Sequence, residues 1–368
     1  MLMGNHMDLE SVVSRYRDAV QSVVLREPRG EPSRWRQHTI GARSWQVIQP
    51  VTFTPYAAVR PCSGRCLFCS ENLREKEAER HASLLRPAGN YFPQLQQVLK
   101  ELRGLPLSYS LSGLEMTDDR SWFLQLLETL AIHAARGNPV ESRVLYSNAS
   151  GLVVLGDDPV LTRAITDFGF SWIELSRHHY DEKSNQGIMR FRSSSLAADN
   201  MAFEKSVALL NGITDIKLVC IVQTDGVDSL AEMLRYLAWA RSLGVKHVIF
   251  RELSVLDRRY KANATYRYID SARVSVGRLM QEFLERNGDA LPELKQSTYG
   301  YYFTNLVVDD GGLRITFESS DYTLLHEKHD SGRVFKLVFH ANGNLCADWN
   351  PDRHVLFSAA GEGLHSAE

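Results

Sequence analysis

Between Trp45 and Leu253 the apolar positions alternate in kind as well as in place. Short apolar or alternating runs are followed by stretches whose hydrophobic residues recur every three or four positions. The runs are "WQVIQPVTFTPY" (45–56), "LSYSLS" (107–112), "RVLYSN" (143–148), "SWIELS" (171–176), "IKLVCIVQ" (216–223) and "KHVIFREL" (246–253), six predicted strands. The fifth is apolar almost throughout, the pattern of a strand buried on both faces. Helices are predicted between them at 118–137, 158–169, 200–212 and 228–244. Gly137 with Pro139 stops the first, and Asp158 with Pro159 starts the second. Strictly alternating strands and helices specify an α/β fold with a parallel sheet, here a partial (β/α)6 barrel. In such a barrel the chemistry lies at the C-terminal ends of the strands.

The flanks differ. Residues 1–48 read as an N-terminal extension with one amphipathic helix in "LESVVSRYRDAVQSVVL" (9–25), residues 1–6 having the look of a cloning remnant. The barrel occupies 49–265. Residues 266–368 read as a cap: a helix at 270–288, then antiparallel strands in 301–319 and 334–350, the last with a type I′ hairpin at Asn342-Gly343. No solenoid repeat or low-complexity run is visible.

Composition narrows the function. Forty-two Lys and Arg against 44 Asp and Glu give a net charge of -2, which excludes a global attraction to nucleic acid. "REPRGEPSRWRQH" (26–38) with Trp35 is the one stretch resembling a nucleic-acid contact. No apolar run approaches the roughly 20 residues of a membrane span, and no signal peptide opens the chain, so a cytoplasmic location is expected. Of five cysteines, Cys62, Cys66 and Cys69 fall in "RPCSGRCLFCSENL". That is no disulfide framework; clustered thiols in a reducing compartment point to metal or redox chemistry. Structural zinc asks for four ligands, and no second pair follows; a non-catalytic metal scaffold would have to recruit His81.

Three thiolates on an iron–sulfur cubane leave one iron open to a small molecule. With Cys-x3-Cys-x2-Cys and Phe68 before the third cysteine, the chain resembles the radical S-adenosylmethionine (SAM) superfamily, in the single-cluster form with a molybdopterin-precursor-synthase-like core. The resemblance runs from about residue 50 to 255. It implies a [4Fe-4S] cluster on Cys62, Cys66 and Cys69, SAM at the open iron, and a reducing donor such as flavodoxin or ferredoxin. It further implies SAM contacts by Phe68, by Ser112, Gly113 and Glu115 where the family has Gly-Gly-Glu and this chain Gly-Leu-Glu, and by Ser147, Asn148 and Ser176 at later strand ends. Either Arg190 or Arg192 would face the methionyl carboxylate.

The polar run Arg177, His178, His179, Tyr180, Asp181, Glu182, Lys183 follows the fourth strand and is expected to overhang the site. His178 or His179 would serve as general acid or base, Arg177 as an anion clamp, Tyr180 as a substrate contact or rim packing, and Glu252 as a further polar contact. Cys220 reads as core packing; Cys346 reads as packing or, facing the cavity, as a hydrogen-atom donor. Two spare cysteines cannot hold an auxiliary cubane, and the run before Cys62 is short for a cobalamin domain. The expected reaction is redox-neutral (decarboxylation, dehydration, deamination or epimerisation) on a small polar substrate such as a sugar, aminocyclitol or nucleoside. A secondary-metabolism setting like that of cytosylglucuronate decarboxylases is one concrete form, and a nucleic-acid- or peptide-modifying radical enzyme is the alternative.

Overall fold

Strands form where the period-two and continuous apolar runs require them. The computed structural model describes residues 7–25, 32–288 and 291–359. In chain order the strands are β1 (Ser22–Leu25), β2 (Trp35–Ile40), β3 (Arg43–Tyr56), β4 (Leu107–Leu111), β5 (Val140–Ser147), β6 (Trp172–Ser176) and β7 (Ile216–Val222). They continue as β8 (His247–Glu252), β9 (Glu293–Tyr299), β10 (Phe303–Asp310), β11 (Leu313–Ser320), β12 (Val334–His340), β13 (Asn344–Cys346) and β14 (Val355–Ser358). The helices are α1 (Leu9–Arg15), α2 (Tyr91–Glu101), α3 (Arg120–Ala135), α4 (Pro159–Phe168) and α5 (Glu182–Met189). They continue as α6 (Asn200–Asn211), α7 (Leu230–Ser242), α8 (Ala264–Ala272), α9 (Val276–Glu285) and α10 (Tyr322–His329).

The six predicted strands β3 to β8 pair in chain order, every pair parallel. The partial barrel of the sequence reading is therefore present. The cap adds to it: β12 pairs parallel with β3, and β11 pairs parallel with β8. Eight parallel strands thus run β12-β3-β4-β5-β6-β7-β8-β11 inside one 14-stranded sheet, and β11 and β12 are not neighbours. The sheet stays open there, with α10 as the connection between its two edges. The antiparallel pairs expected of the cap lie outside these edges, as β9/β10, β10/β11, β12/β13 and β13/β14.

Local chemistry sets the helix bounds. The Asp158 carboxylate accepts from Leu161 N–H, Pro159 opens α4, and Gly169 closes it at φ +67, a conformation that costs glycine no Cβ clash. The outward positions of the strands (Ile173 and Leu175 of β6, Leu218, Cys220 and Val222 of β7, Val248 and Phe250 of β8) join the helices in one core. Each such side chain contributes roughly 1.5–3 kcal/mol when fully buried.

Three local expectations need correction. The stretch 9–25 is not one helix: α1 ends at Arg15, and the β-branched Val23 and Val24 enter β1, parallel to β9. The stretch 270–288 is broken, because Ser275 caps α9 while Arg273 bridges to Gln223 and bonds Glu252. The β12–β13 connection is a three-residue loop. Gly343 N–H donates to His340 O, and only Gly343, at φ +84, is left-handed, whereas type I′ would place Asn342 there too. The basic stretch 26–38 lies partly outside the described residues; its Trp35 belongs to β2, packed on the Phe335 ring.

Candidate active site at the mouth of the barrel

The loop after β3 carries the cysteines to the C-terminal ends of the strands. Cys62, Cys66 and Cys69 line one cavity of about 300 Å³. Backbone pairing holds the loop in place: Arg65 N–H to Met189 O at 2.9 Å, Leu67 N–H to Ile188 O at 3.2 Å, and Arg192 N–H to Ser63 O at 3.0 Å. Ser63 N–H also donates to Asp118 Oδ2 at 2.7 Å, and Asn148 Nδ2 donates to Cys62 Sγ at 3.3 Å.

Two features decide what these sulfurs suit. Burial pushes the Cys66 and Cys69 thiols up to about 12 and raises Cys62 as well, so ionising them calls for strong positive charge supplied at the site. Among the described residues only His326, His329 and Asp348 bring three ligand atoms within 4.8 Å of one another. The three sulfurs do not all close to that distance of one another. A cluster taking one sulfur per iron fits that spread and the soft donor set. His81 lines a separate cleft with Glu75 and Tyr260 and does not join the cysteines.

The strand ends opposite are built around Glu115. Its Oε1 accepts from Thr117 Oγ1 at 2.6 Å and Ser147 Oγ at 2.9 Å, and its Oε2 from Asn148 N–H at 2.6 Å. Burial first, then the charge of Asp118, pushes its pKa up to about 7. Glu115 thereby ties the ends of β4 and β5 together rather than standing in solvent. Gly113, at φ +77, must lack a side chain: a Cβ there would meet Tyr56 Cε2 at 2.1 Å. Leu114 is also left-handed, at φ +39, which explains why a second glycine suits this position. Ser176 lines the cavity; Ser112 does not, and its hydroxyl pairs with Ser110 Oγ at 3.1 Å.

The polar loop divides by strand parity. Ser176 and His178 face inward, and the His178 ring meets Phe68 edge-on at 4.8 Å. His178 Nδ1 accepts from Ile221 N–H at 3.1 Å, which leaves the proton on Nε2. Burial pushes its pKa down to about 3, so it is a fixed neutral donor and not the acid–base group expected near neutral pH. Arg177 points the other way, fully buried, donating to Ala197 O at 2.8 Å and to Asn200 Oδ1 and lying over the Phe203 ring. It cannot clamp an anion in the cavity. His179 Nδ1 accepts from Asp181 N–H, and Tyr180 donates to Glu232 at 3.0 Å, both away from the site.

Three further expectations are corrected by position. Glu252 borders the cavity, but its carboxylate is engaged by Arg273 Nε at 2.7 Å and Val276 N–H at 2.9 Å at the start of α9. Cys346 is buried on β13 with its thiol toward Pro351 O, outside the cavity, so it packs. Arg190 and Arg192 are exposed and line no part of the cavity; what their segment supplies is the backbone that holds the cysteine loop. Cys220 is buried packing, as its alternation indicated.

Sequence reasoning missed Arg251, Tyr146 and Tyr322, which share the cavity wall. Arg251 donates to Glu318 Oε1 at 2.5 Å and lies 3.6 Å from Glu174 Oε2, an ion network across β6, β8 and β11. Its signal was parity: with Val248 and Phe250 in the outer core, Ile249 and Arg251 must face inward.

No protein-family model matches the chain, and no curated protein matches it by sequence. Solved structures do match. SuiB of Streptococcus suis bound to its precursor peptide SuiA superposes at TM-score 0.50 with 12% identity, covering 86% of this chain and 64% of SuiB. The chain thus spans under two thirds of that protein, and the likeness is one of fold. The enzyme anSMEcpe with bound AdoMet gives TM-score 0.46 at 13% identity over 84% of this chain and 74% of its own.

Proposed function

We propose that this protein is a radical SAM enzyme. The observation that carries the reading is the convergence of Cys62, Cys66 and Cys69 on a cavity walled by the C-terminal ends of β4 to β8. When bound, a [4Fe-4S] cluster with SAM supplies one-electron cleavage of the cofactor to a 5′-deoxyadenosyl radical that removes hydrogen from the substrate.

The chain's own residues orient and shield. Gly113 keeps the backbone open beside the loop, and the Glu115 network fixes Ser147 and also Asn148, whose Nδ2 donates to Cys62 Sγ. Phe68 and His178 close one wall, with His178 Nε2–H as a donor that stays protonated and neutral. The open edge between β11 and β12 lies beside α10, whose first residue, Tyr322, reaches the cavity. A walled site of this kind holds a target carbon near the radical and keeps water out.

For the substrate we favour a small polar molecule. Ser176, Ser254, Tyr146 and Arg251 give the cavity hydrogen-bonding groups at the strand ends, with Arg251 already neutralised by Glu318 and Glu174. Redox-neutral outcomes need no second cluster, in keeping with two spare cysteines that are both buried packing. A flavodoxin- or ferredoxin-type donor would supply the electron. The peptide reading draws support from SuiB, which binds a precursor peptide.

Anaerobic reconstitution with iron and sulfide, reduction with SAM, and quantification of 5′-deoxyadenosine test the core of the reading. Wild type should release it, and Cys66→Ala should fall to the no-enzyme background with loss of bound iron. Release that survives in Cys66→Ala would overturn the assignment. Deuterium transfer from labelled sugars, nucleosides and peptides then separates the substrate classes.

A further inference from the structure

The cap contains a second set of ligand-type side chains, unrelated to the cysteines. His326 and His329 stand three residues apart on one face of α10, and Asp348 follows β13. Their ligand atoms lie within 4.8 Å of one another, and each residue is at most 1% exposed. Hydrogen bonding does not account for them. His326 Nδ1, both ring nitrogens of His329 and Asp348 Oδ2 are buried without a hydrogen-bond partner, and His354 Nε2 stands 3.8 Å from Asp348 Oδ2. His329 Nδ1 lies 3.7 Å from Asp348 Oδ1, too far for a hydrogen bond. A buried polar atom left without a hydrogen bond is destabilising unless something else satisfies it.

The surroundings are those of ligands held in place. His326 Nε2 meets Tyr260 OH at 2.8 Å, which leaves Nδ1 as the nitrogen without a hydrogen bond. Asp348 is fixed at both ends: Oδ1 accepts from Asn350 N–H at 3.2 Å, and its carbonyl meets His340 Nε2 at 3.2 Å. Lys336, a cation that Asp348 attracts, rests its ammonium 3.4 Å from the Trp349 ring centroid.

We propose that His326, His329 and Asp348 bind one divalent transition-metal ion, zinc by the chemistry of two imidazoles and one carboxylate, at a site separate from the cysteines. Ligation at zinc would draw the three atoms to about 3.3 Å apart, a contraction of at most about 1.5 Å from the separations seen here. The ion ties α10 to the strap after β13. Because α10 joins β11 to β12, the two outermost strands of the parallel set, which do not pair with each other, the ion acts as a clasp across the open side of the barrel.

The test uses the full chain with Cys62, Cys66 and Cys69 all changed to Ser, stripped with a chelator, and in parallel the reconstituted wild type. Titration with Zn²⁺, and with Co²⁺ read by its visible d–d absorption, should give one equivalent per chain in both proteins and raise the unfolding temperature. Adding His329→Gln or Asp348→Asn should abolish both the stoichiometric uptake and the temperature shift. Should these variants fail to fold, the stripped parent decides alone. If it is folded by circular dichroism and takes up neither ion at micromolar concentration, Lys336 serves as the counter-ion of Asp348 and the proposal is overturned. Uptake unchanged in folded His329→Gln would overturn it equally.

Discussion

The loop after β3 and the loop after β6 face each other across one cavity, and both are dense in reactive side chains. The first delivers all three cysteines to the cavity, whereas of the second's Arg177, His178, His179 and Tyr180 only His178 arrives. The difference is one of backbone regime. The cysteine loop has left the sheet, so its side chains can converge on one point, and backbone bonds to Ile188, Met189 and Arg192 hold it there. Arg177 still continues β6, bonding through its N–H to Val219 O at 3.0 Å, and alternation sends it with Ile173 and Leu175 into the outer core. Density of chemistry in a loop therefore says little until the strand that feeds it has been followed to its end.

Arg177→Ala tests that contrast with the largest effect. The substitution removes the partner of Ala197 O and Asn200 Oδ1 and empties space beside Phe203, so the unfolding free energy should fall by roughly 2–5 kcal/mol. SAM affinity, measured by calorimetry on folded protein, should hold within about twofold, the shift of a residue that makes no contact in the cavity. A variant of full stability with weakened SAM binding would place Arg177 in the site after all.

Much of the site was legible because its signals are local. The cysteine spacing, Phe68 and the Gly113–Glu115 turn are contiguous, and the six strands carry their own periodicity. Parity would also have assigned Arg251 inward, since Val248 and Phe250 mark the outer face. His326, His329 and Asp348 were not legible. They meet only because β11 and β12 run at opposite ends of the parallel set and α10 spans between them, a pairing that no short window of sequence contains. The N-terminal stretch shows the same limit: "QSVVL" satisfies a helical pattern, yet β9 offers it an open edge, and Gln21 N–H bonds Leu294 O.

His178 allows a test by pH, of intermediate size. Its folded pKa, pushed down to about 3 by burial, lies below the ordinary 6.5, so the fold favours the neutral ring. The stability it contributes is complete above pH 6.5 and is lost as pH falls through that value toward 3, because the unfolded chain takes up the proton first. Between pH 7 and 5 this one group should cost about 2 kcal/mol at 1.36 kcal/mol per unit. His178→Gln should flatten the wild-type decline in denaturant-derived stability by that amount. An unchanged slope would mean that the ring titrates freely, as a solvated loop histidine does.

Tyr180→Phe should have the smallest effect, and its smallness is informative. Tyr180 OH donates to Glu232, which also pairs with Arg235 and lies 3.5 Å from His179 Nε2. The carboxylate therefore keeps other partners when the hydroxyl is removed, and the ring still packs against the core. Loss of one half-buried hydrogen bond with a surviving network should cost less than about 1 kcal/mol. SAM cleavage by the reconstituted enzyme should not change. If Tyr180→Phe instead lowers turnover without touching stability, the outer half of the loop swings to the cavity when substrate binds, and the division by strand parity would describe only the unliganded protein.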